Sequence, residues 1–427
     1  MFFRSAVRAL PVLMAVFMFA GAAYAQKAPD QPAKIYAPVP APNADTDPES
    51  FVPLRLHLAD NVWLQPHFFG CAQIGSYSTW DTDNAKKTED DAYWSKSFLI
   101  RNARASLDVQ LTKYASLFWQ SDDFTMNAQY RSGIVRSYGR KSNSAYTQDA
   151  YLHLCPLRQL QLYAGLLTVP FNRASLTSDA GLLGTDMTAM HPEFGSLSRS
   201  GRDTGVMLRG FLVKSIIEYR VGVFRGMQKQ SMTDTKGTSV TTDDVKYTRN
   251  DNGSLRYTAR FQFSAMDGEE GYFYSENYLL KRQIFGVGFG LDYQPDVQYK
   301  HNNKDYIGWS IDAPLNMQMS AMYVLTGQIN VSSTSNTPDC AGRDYTGFFN
   351  LNLQAGMLIA ETWEPIAKYT YTNLKGTSRQ YKTLTVGGNY YIDGNRLNIK
   401  SSISMPIGRN KHYADEWKAV LQLQGYL

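Results

Sequence analysis

Trp417-Lys-Ala-Val-Leu-Gln-Leu-Gln-Gly-Tyr-Leu427 closes the chain with apolar and polar positions alternating almost to the final residue. Trp417, Ala419, Leu421, Leu423, Gly425 and Leu427 fall on one face, and Lys418, Val420, Gln422, Gln424 and Tyr426 on the other. A period of two is the signature of a strand with one apolar and one wet face. A soluble protein has little reason to end this way. A barrel in an outer membrane does, because its last strand must seal a wall with lipid outside and water inside.

The other end of the chain fits the same compartment. Arg4 and Arg8 precede an unbroken apolar run, Val12 to Ala20, and Ala23-Tyr24-Ala25 supplies an A-x-A cleavage site. The pattern predicts a signal peptide over 1–25, removed on export. No Cys follows the site, which argues against a lipid anchor. Residues 26–60 form a lead-in whose stretch 27–50 holds six prolines, a composition suited to an extended or polyproline-like tether. Residues 61–427 are assigned to the barrel.

Composition supports that assignment. No later segment has the run of apolar residues that a transmembrane helix needs. Mean hydropathy is negative, yet aromatics reach 13%, with 28 Tyr. A barrel with a wet lumen gives this combination, because only alternate residues meet lipid and Tyr and Trp gather at the interfaces. The formal charge of +5 falls to +3 once Arg4 and Arg8 are lost, too little to suggest nucleic acid. Cys71, Cys155 and Cys340 are widely spaced and form no redox or haem motif. An oxidising compartment permits one pair, and the sequence does not choose it.

Sixteen strands are expected: 62–77, 97–110, 115–123, 147–154, 160–168, 203–210, 215–224, 256–263, 283–293, 305–312, 319–329, 347–357, 363–372, 382–391, 396–405 and 417–427. Their connections alternate long and short, as in bacterial barrels with long extracellular loops and short periplasmic turns. Among the short ones, Asp393-Gly394-Asn395 has hairpin chemistry. One connection, 264–282, breaks the rule, being long on the short side. It is either a missed hairpin or a real excursion. The fold class is therefore all-β, a sixteen-stranded antiparallel transmembrane barrel, wide enough to enclose an aqueous channel.

Alternation assigns faces. Leu99, Ala103, Ala105, Leu107, Val109 and Leu111 are expected outward, with Asn102, Arg104, Ser106, Asp108 and Gln110 inward. Tyr257, Ala259, Phe261 and Phe263 point out. Arg104, Arg209, Arg220, Arg256, Arg260, Lys368 and Lys400 collect on the lumen side, against Asp108, Asp122 and Glu218. A basic excess in a low-dielectric wall favours anions, and Arg offers a planar fork for oxyanions. The plainer alternative is that these arginines pair with the three carboxylates and brace the wall. The 169–202 loop is long enough to be functional and carries Arg173, His191, Arg199 and Arg202 as constriction candidates. It either folds inward or lies exposed outside.

Six segments carry a family resemblance: Phe98-Leu-Ile-Arg-Asn-Ala-Arg-Ala-Ser-Leu107, Ala164-Gly-Leu-Leu-Thr-Val-Pro-Phe171, Gly201-Arg-Asp-Thr-Gly-Val206, Glu218-Tyr-Arg-Val-Gly-Val-Phe-Arg-Gly226, Trp363-Glu-Pro-Ile-Ala-Lys-Tyr369 and Gly388-Asn-Tyr-Tyr-Ile-Asp-Gly394. In this order they resemble the phosphate-selective porin O and P family. The resemblance implies a trimeric sixteen-stranded channel with an inward third loop, an arginine ladder and a lysine cluster that binds phosphate. The chain departs from the family in having no lysine in 169–202 and in ending on Leu427 where an aromatic is usual.

No P-loop, H-E-x-x-H or G-x-S-x-G is present, and Asp81-Thr82-Asp83 lacks the later residues of a calcium loop. The six histidines have no ligand spacing. No enzyme activity, cofactor or metal is expected. The leading reading is a passive porin for small hydrophilic solutes, anion-preferring, with phosphate a candidate, its partners being outer-membrane lipid, small anions and two further copies of itself. A barrel that sleeves or scaffolds a partner is the alternative, and an outer-membrane enzyme the third.

Overall fold

The computed structural model describes residues 55–79, 93–122, 146–187, 201–234, 245–250, 252–299, 302–337, 346–378, 380–407 and 417–426. The expected signal peptide, nearly all of the lead-in, Asp81–Asp83, Cys340 and Leu427 lie outside these residues.

Sixteen strands form one antiparallel sheet in sequence order. They are β1 Val62–Thr79, β2 Tyr93–Thr112, β3 Ala115–Asp122, β4 Tyr146–Leu157, β5 Leu160–Thr168, β6 Arg202–Leu212, β7 Ile217–Phe224 and β8 Arg256–Ser264. The second half comprises β9 Ile284–Tyr299, β10 Asn302–Gln318, β11 Tyr323–Ser335, β12 Gly347–Ile359, β13 Trp363–Lys375, β14 Gln380–Asp393, β15 Leu397–Pro406 and β16 Lys418–Tyr426. β16 pairs with β1, from Lys418 opposite Tyr77 to Tyr426 opposite Phe69, so the sheet is closed. Every expected strand has its counterpart. A further short strand, Leu56–Ala59, pairs with the start of β1, so the end of the lead-in already joins the wall.

The wall alternates as a lipid-facing barrel must. In β8, Tyr257, Phe261 and Phe263 are exposed, while Arg256, Thr258, Arg260 and Gln262 are buried. In β16, Leu421 and Leu423 are exposed and Gln422 and Gln424 buried. Apolar side chains exposed on the outside and polar ones buried inside invert the usual globular arrangement. Among the described residues no helix is long and apolar enough to cross a membrane; the strands make the crossing.

Three expectations need correction. A bulge opposite Cys71 and Ala72 lets β2 slip by one residue, which reverses parity below Asn102. Phe98 and Ile100 therefore face out and Arg101 turns inward; the side chain of Leu99, expected outward, lies outside the described ones. Next, β9 and β10 extend to Tyr299 and from Asn302; the connection expected over 294–304 shrinks to 300 and 301. Finally, β11 begins at Tyr323 and not at 319, because 319–322 is the turn. The short turns show the required backbone. Ala360 and Glu361 both have positive φ, and Gly394 has φ 52°, conformations that match strand twist in tight hairpins.

The seam between first and last strands is fastened by side chains as well. Gln73 donates to Gln422 at 2.7 Å. His67 Nε2 lies 2.9 Å from Asp108 and its Nδ1 3.1 Å from the Tyr426 hydroxyl. A carboxylate only accepts, so in the neutral ring Nε2–H donates to Asp108 and Nδ1 accepts from Tyr426. The alternation at the chain end thus has a second use, since Tyr426, inward by parity, locks the final strand to β1. Tyr426→Phe is expected to lower stability by about 1 kcal/mol, measured by urea titration of the protein folded into vesicles.

Candidate functional site

The interior of this barrel is largely filled. The loop after β5 turns inward at once. Residues 169–187 cross the lumen and build two single turns of 3-10 helix, Ala174–Leu176 and Asp179–Gly181. Gly290 permits the entry: a Cβ there would lie 1.8 Å from the Phe171 carbonyl, which accepts instead from Ser310 Oγ at 2.6 Å. The remainder of the loop, with His191 and Arg199, lies outside the described residues.

The connection between β8 and β9, 265–283, also enters the lumen, from the end that carries the short turns. The rule-breaking 264–282 connection is therefore a true excursion. It meets the inward loop midway. Thr177 and Tyr274 form a parallel bridge; Ser178 N donates to Tyr274 O at 2.9 Å, Tyr274 N to Leu176 O at 2.8 Å and Glu276 N to Gly181 O at 2.9 Å. Where these segments pass β3–β7, Tyr272 and Phe273 pack with Phe118, Tyr151, Tyr163, Leu167, Val169, Met207 and Phe224 into a dry cluster. The alternating pattern of β3–β7 marks these residues as inward, but not what they would touch.

The seven expected lumen cations do all point inward, and they divide into two groups. Arg209, Arg220, Arg256 and Arg260 are fully buried. Arg209 and Arg220 both donate to Glu218 at 2.7 Å and also to the carbonyls of Gly271 and Tyr272. Arg256 forks onto Asp292 at 2.8 and 2.5 Å, and Arg260 onto Asp312 at 2.6 and 2.7 Å. Of the loop candidates, Arg173 is buried against Glu269 and donates to Ser275 O at 2.8 Å. Arg202, the first residue of β6, forks onto Asp149 at 3.2 and 3.3 Å. Pairing of this kind offsets the charge of both partners, while Arg209 Nη1, Arg220 Nη2 and Arg260 Nε are left without a hydrogen bond. On this side of the barrel the plainer alternative for the arginines holds: they brace the wall and the segments docked on it. Only Glu218 was among the carboxylates foreseen; Asp149, Asp292, Asp312 and Glu269, with Asp203 at 3.5 Å from Arg256, complete the set.

The opposite side differs. There Arg104 pairs with Asp122 at 3.0 Å and with Asp179 of the loop. Lys400 donates to Leu182 O and Lys368 to the carbonyls of Asp186 and Met187, at 3.3 and 3.1 Å for the latter two. Asp186, at the far end of the loop, takes Lys418 at 2.5 Å and Arg101 at 3.1 Å. Burial pushes the Asp186 carboxyl up, but Lys418 and then Arg101 outweigh it and hold it at about 2. Gln424 donates to Ala180 O at 2.7 Å, and Thr185 bonds Ser402 at 2.7 Å. The loop carries no lysine, yet three wall lysines grip its tip. Arg101 escaped the sequence reading because the bulge that turns it inward has no sequence mark. Lys418 was placed inward by the terminal alternation but had no visible partner.

Water contact separates the two sides. Around the loop tip, Arg101, Arg104, Lys368 and Lys418 are partly exposed, with Asp179 and Asp186. Buried Glu276 and Glu364 add negative charge nearby, and Lys400 is buried too. Toward the short-turn end a cavity of about 290 Å³ opens beneath the tip, lined among others by Ser178, Gly181, Tyr278, Asn395 and Tyr426.

No protein-family model and no curated protein matches this chain. Solved structures do match. OmpF of Salmonella typhi, in complex with daunomycin, has a TM-score of 0.54 at 11% identity, covering 88% of this chain and 100% of that one. The outer membrane channel DcaP of Acinetobacter baumannii has a TM-score of 0.51 at 13% identity, covering 87% and 99%. The fold is the porin fold. At these identities the likeness is one of architecture.

Other chemistry leaves little trace. Among the described residues no three His, Cys, Asp or Glu side chains converge as a metal site, and Cys71 and Cys155 are free thiols. His153 bonds Ser116 and Gln161, and His67 bonds Asp108 and Tyr426, so neither ring links a serine to a carboxylate. The buried pairs are open to test. Glu218→Ala strands two buried guanidinium groups and is expected to cost about 3–5 kcal/mol, read as a lower denaturant midpoint with the barrel spectrum retained.

Proposed function

We propose that the chain is an outer-membrane channel that lets small hydrophilic solutes diffuse passively, with a preference for anions. The observation that carries this reading is the partly exposed charge at the loop tip. Of the groups there that keep contact with water, Arg101, Arg104, Lys368 and Lys418 are cationic, against Asp179 and Asp186. Buried Lys400, Asp122, Glu276 and Glu364 bring the formal charge of this neighbourhood close to balance, so the preference rests on cations being most of the groups that a passing ion reaches, at a surface of low dielectric. The buried arginines on the other side contribute less to that field, because Asp149, Glu218, Glu269, Asp292 and Asp312 lie at contact distance from them.

The closed wall and its apolar exterior fit an outer membrane, and the N-terminal pattern fits export across the inner one. On this reading the short turns and both termini are periplasmic. Phosphate is a candidate solute through the resemblance to the phosphate-selective porin O and P family, with Arg101 and the wall lysines Lys368 and Lys418 as the groups that would meet it. Trimeric assembly belongs to the same proposal, and cross-linking in detergent tests it.

Planar bilayers in a KCl gradient are expected to give an anion-selective reversal potential. Lys418→Gln and Lys368→Gln are expected to move it toward cations; zero conductance, or cation preference in the unaltered protein, would sink the reading. Asp186 adds a pH signature. A carboxyl held at about 2 stays ionised from neutral pH to below the usual value of about 4. The stabilisation it gives through Lys418 and Arg101 is present throughout that range and fades as pH falls through the depressed value. Selectivity should therefore hold steady to about pH 4 and become more anionic only as pH approaches 2, in reversal potentials recorded across that range.

A further inference from the structure

We propose that the periplasmic excursion 265–283 is the specificity-determining strut of this channel: it fixes the inward loop in place and closes one side of the barrel, so that solutes are confined to the sector bounded by β13–β16 and the start of the wall at β1–β2. The inference rests on the channel reading above and adds to it the element that sets the pore's width.

Three observations support it. The first is the anchoring. Glu269 accepts from Arg173 of the loop, from Gln262 of β8 at 2.6 Å and from the Tyr278 hydroxyl at 2.5 Å. One buried carboxylate thus ties the loop, the wall and the strut itself. Glu276 repeats the pattern further on, since its backbone N–H donates to Gly181 O and its carboxylate accepts from Leu183 N at 2.7 Å. With these bonds in place the loop has no independent freedom between Arg173 and Leu183.

The second is what fills the closed side. Arg209 and Arg220 hold the strut by its own carbonyls, at 2.7 Å to Gly271 and 2.9 Å to Tyr272. The Tyr272 hydroxyl accepts from Thr168 N at 3.2 Å, while its ring lies 5.0 Å from Tyr151 and 5.3 Å from Tyr163. Close-packed rings and buried ion pairs close this side to a hydrated solute.

The third is where space remains. The partly exposed Arg101, Arg104, Lys368, Lys418, Asp179 and Asp186 lie at the loop tip, and the cavity of about 290 Å³ opens below it on the periplasmic side. The strut forms one flank of that cavity with Asn277, Tyr278 and Leu279, and the wall the other with Asn395 and Tyr426. A solute leaving the tip through this cavity passes along the strut.

Two variants test the proposal. One replaces 266–282 with a two-residue turn like that at Ala360 and Glu361. The other, Gly181→Val, drives the segments apart, since even a Cβ at 181 would meet Ser275 Oγ at 2.4 Å. Heat-modifiable migration on gels reports that the barrel has formed. KCl conductance in bilayers is expected to rise by a factor of about two or more as the open cross-section grows, and polyethylene glycols that the unaltered channel excludes should enter. Amide hydrogen exchange over 172–185 should accelerate in both variants. Unchanged conductance and size exclusion in folded variants would overturn the strut, and so would unchanged exchange. An unaltered protein that does not conduct, beside a shortened one that does, would overturn the open-channel reading and leave the strut standing.

Discussion

A peptide group in hydrocarbon has no water to turn to, so each N–H and C=O of the wall must find its partner within the sheet. Everything else in this structure follows from that demand. A sheet that leaves no edge must close, and it closes where β16 meets β1. Closure forces alternation along every strand, and alternation delivers one complete set of side chains to lipid and another to an enclosed space. The Gln73–Gln422 and His67–Tyr426 contacts sit on that seam, where side-chain bonds reinforce the pairing that completes the ring.

The enclosed space then has to manage its own charge. Guanidinium groups removed from water are costly unless a carboxylate and further acceptors replace the lost solvation. Around β6–β10 the chain meets that requirement with Glu218, Asp292, Asp312 and Glu269, together with carbonyls of the segment that packs on the wall. Ion pairs and backbone of the inward segments therefore stabilise one another. Around β13–β16 and β2 the groups keep some water and are shared more loosely, several cations reaching one carboxylate or a bare carbonyl. The same residue types serve as internal struts on one side and as a source of field on the other, and burial decides which.

Much of this could be read from the sequence. Strand number, closure and the inward direction of Arg104, Arg209, Arg220, Arg256, Arg260, Lys368 and Lys400 all follow from a period of two, which is a local property. What touches an inward side chain is not local. Arg173 meets Glu269 and Lys400 meets Leu182, contacts no alternation encodes. The bulge in β2 hid Arg101, because one extra residue shifts parity without a change in composition. The length of 264–282 did signal something unusual, and its direction became clear only from Tyr272, Phe273 and Tyr274, aromatic residues too buried for a solvent turn. The six segments that carry the family resemblance lie mostly in wall strands, and the matched structures support the porin fold alone.

The bond between Asp186 and Lys418 joins residues 232 positions apart. Neither it nor the contact of Gln424 with Ala180 can exist before the last strand has been made and seated. The inward loop must therefore wait, through export and insertion, for a wall that is not yet there. During that interval Asp186 and the carbonyl of Ala180 lack their partners on the last strand, and that side of the interior is hydrated. Filling the barrel is thus the final act of its assembly, and an insertion intermediate should be wider and wetter inside than the finished protein.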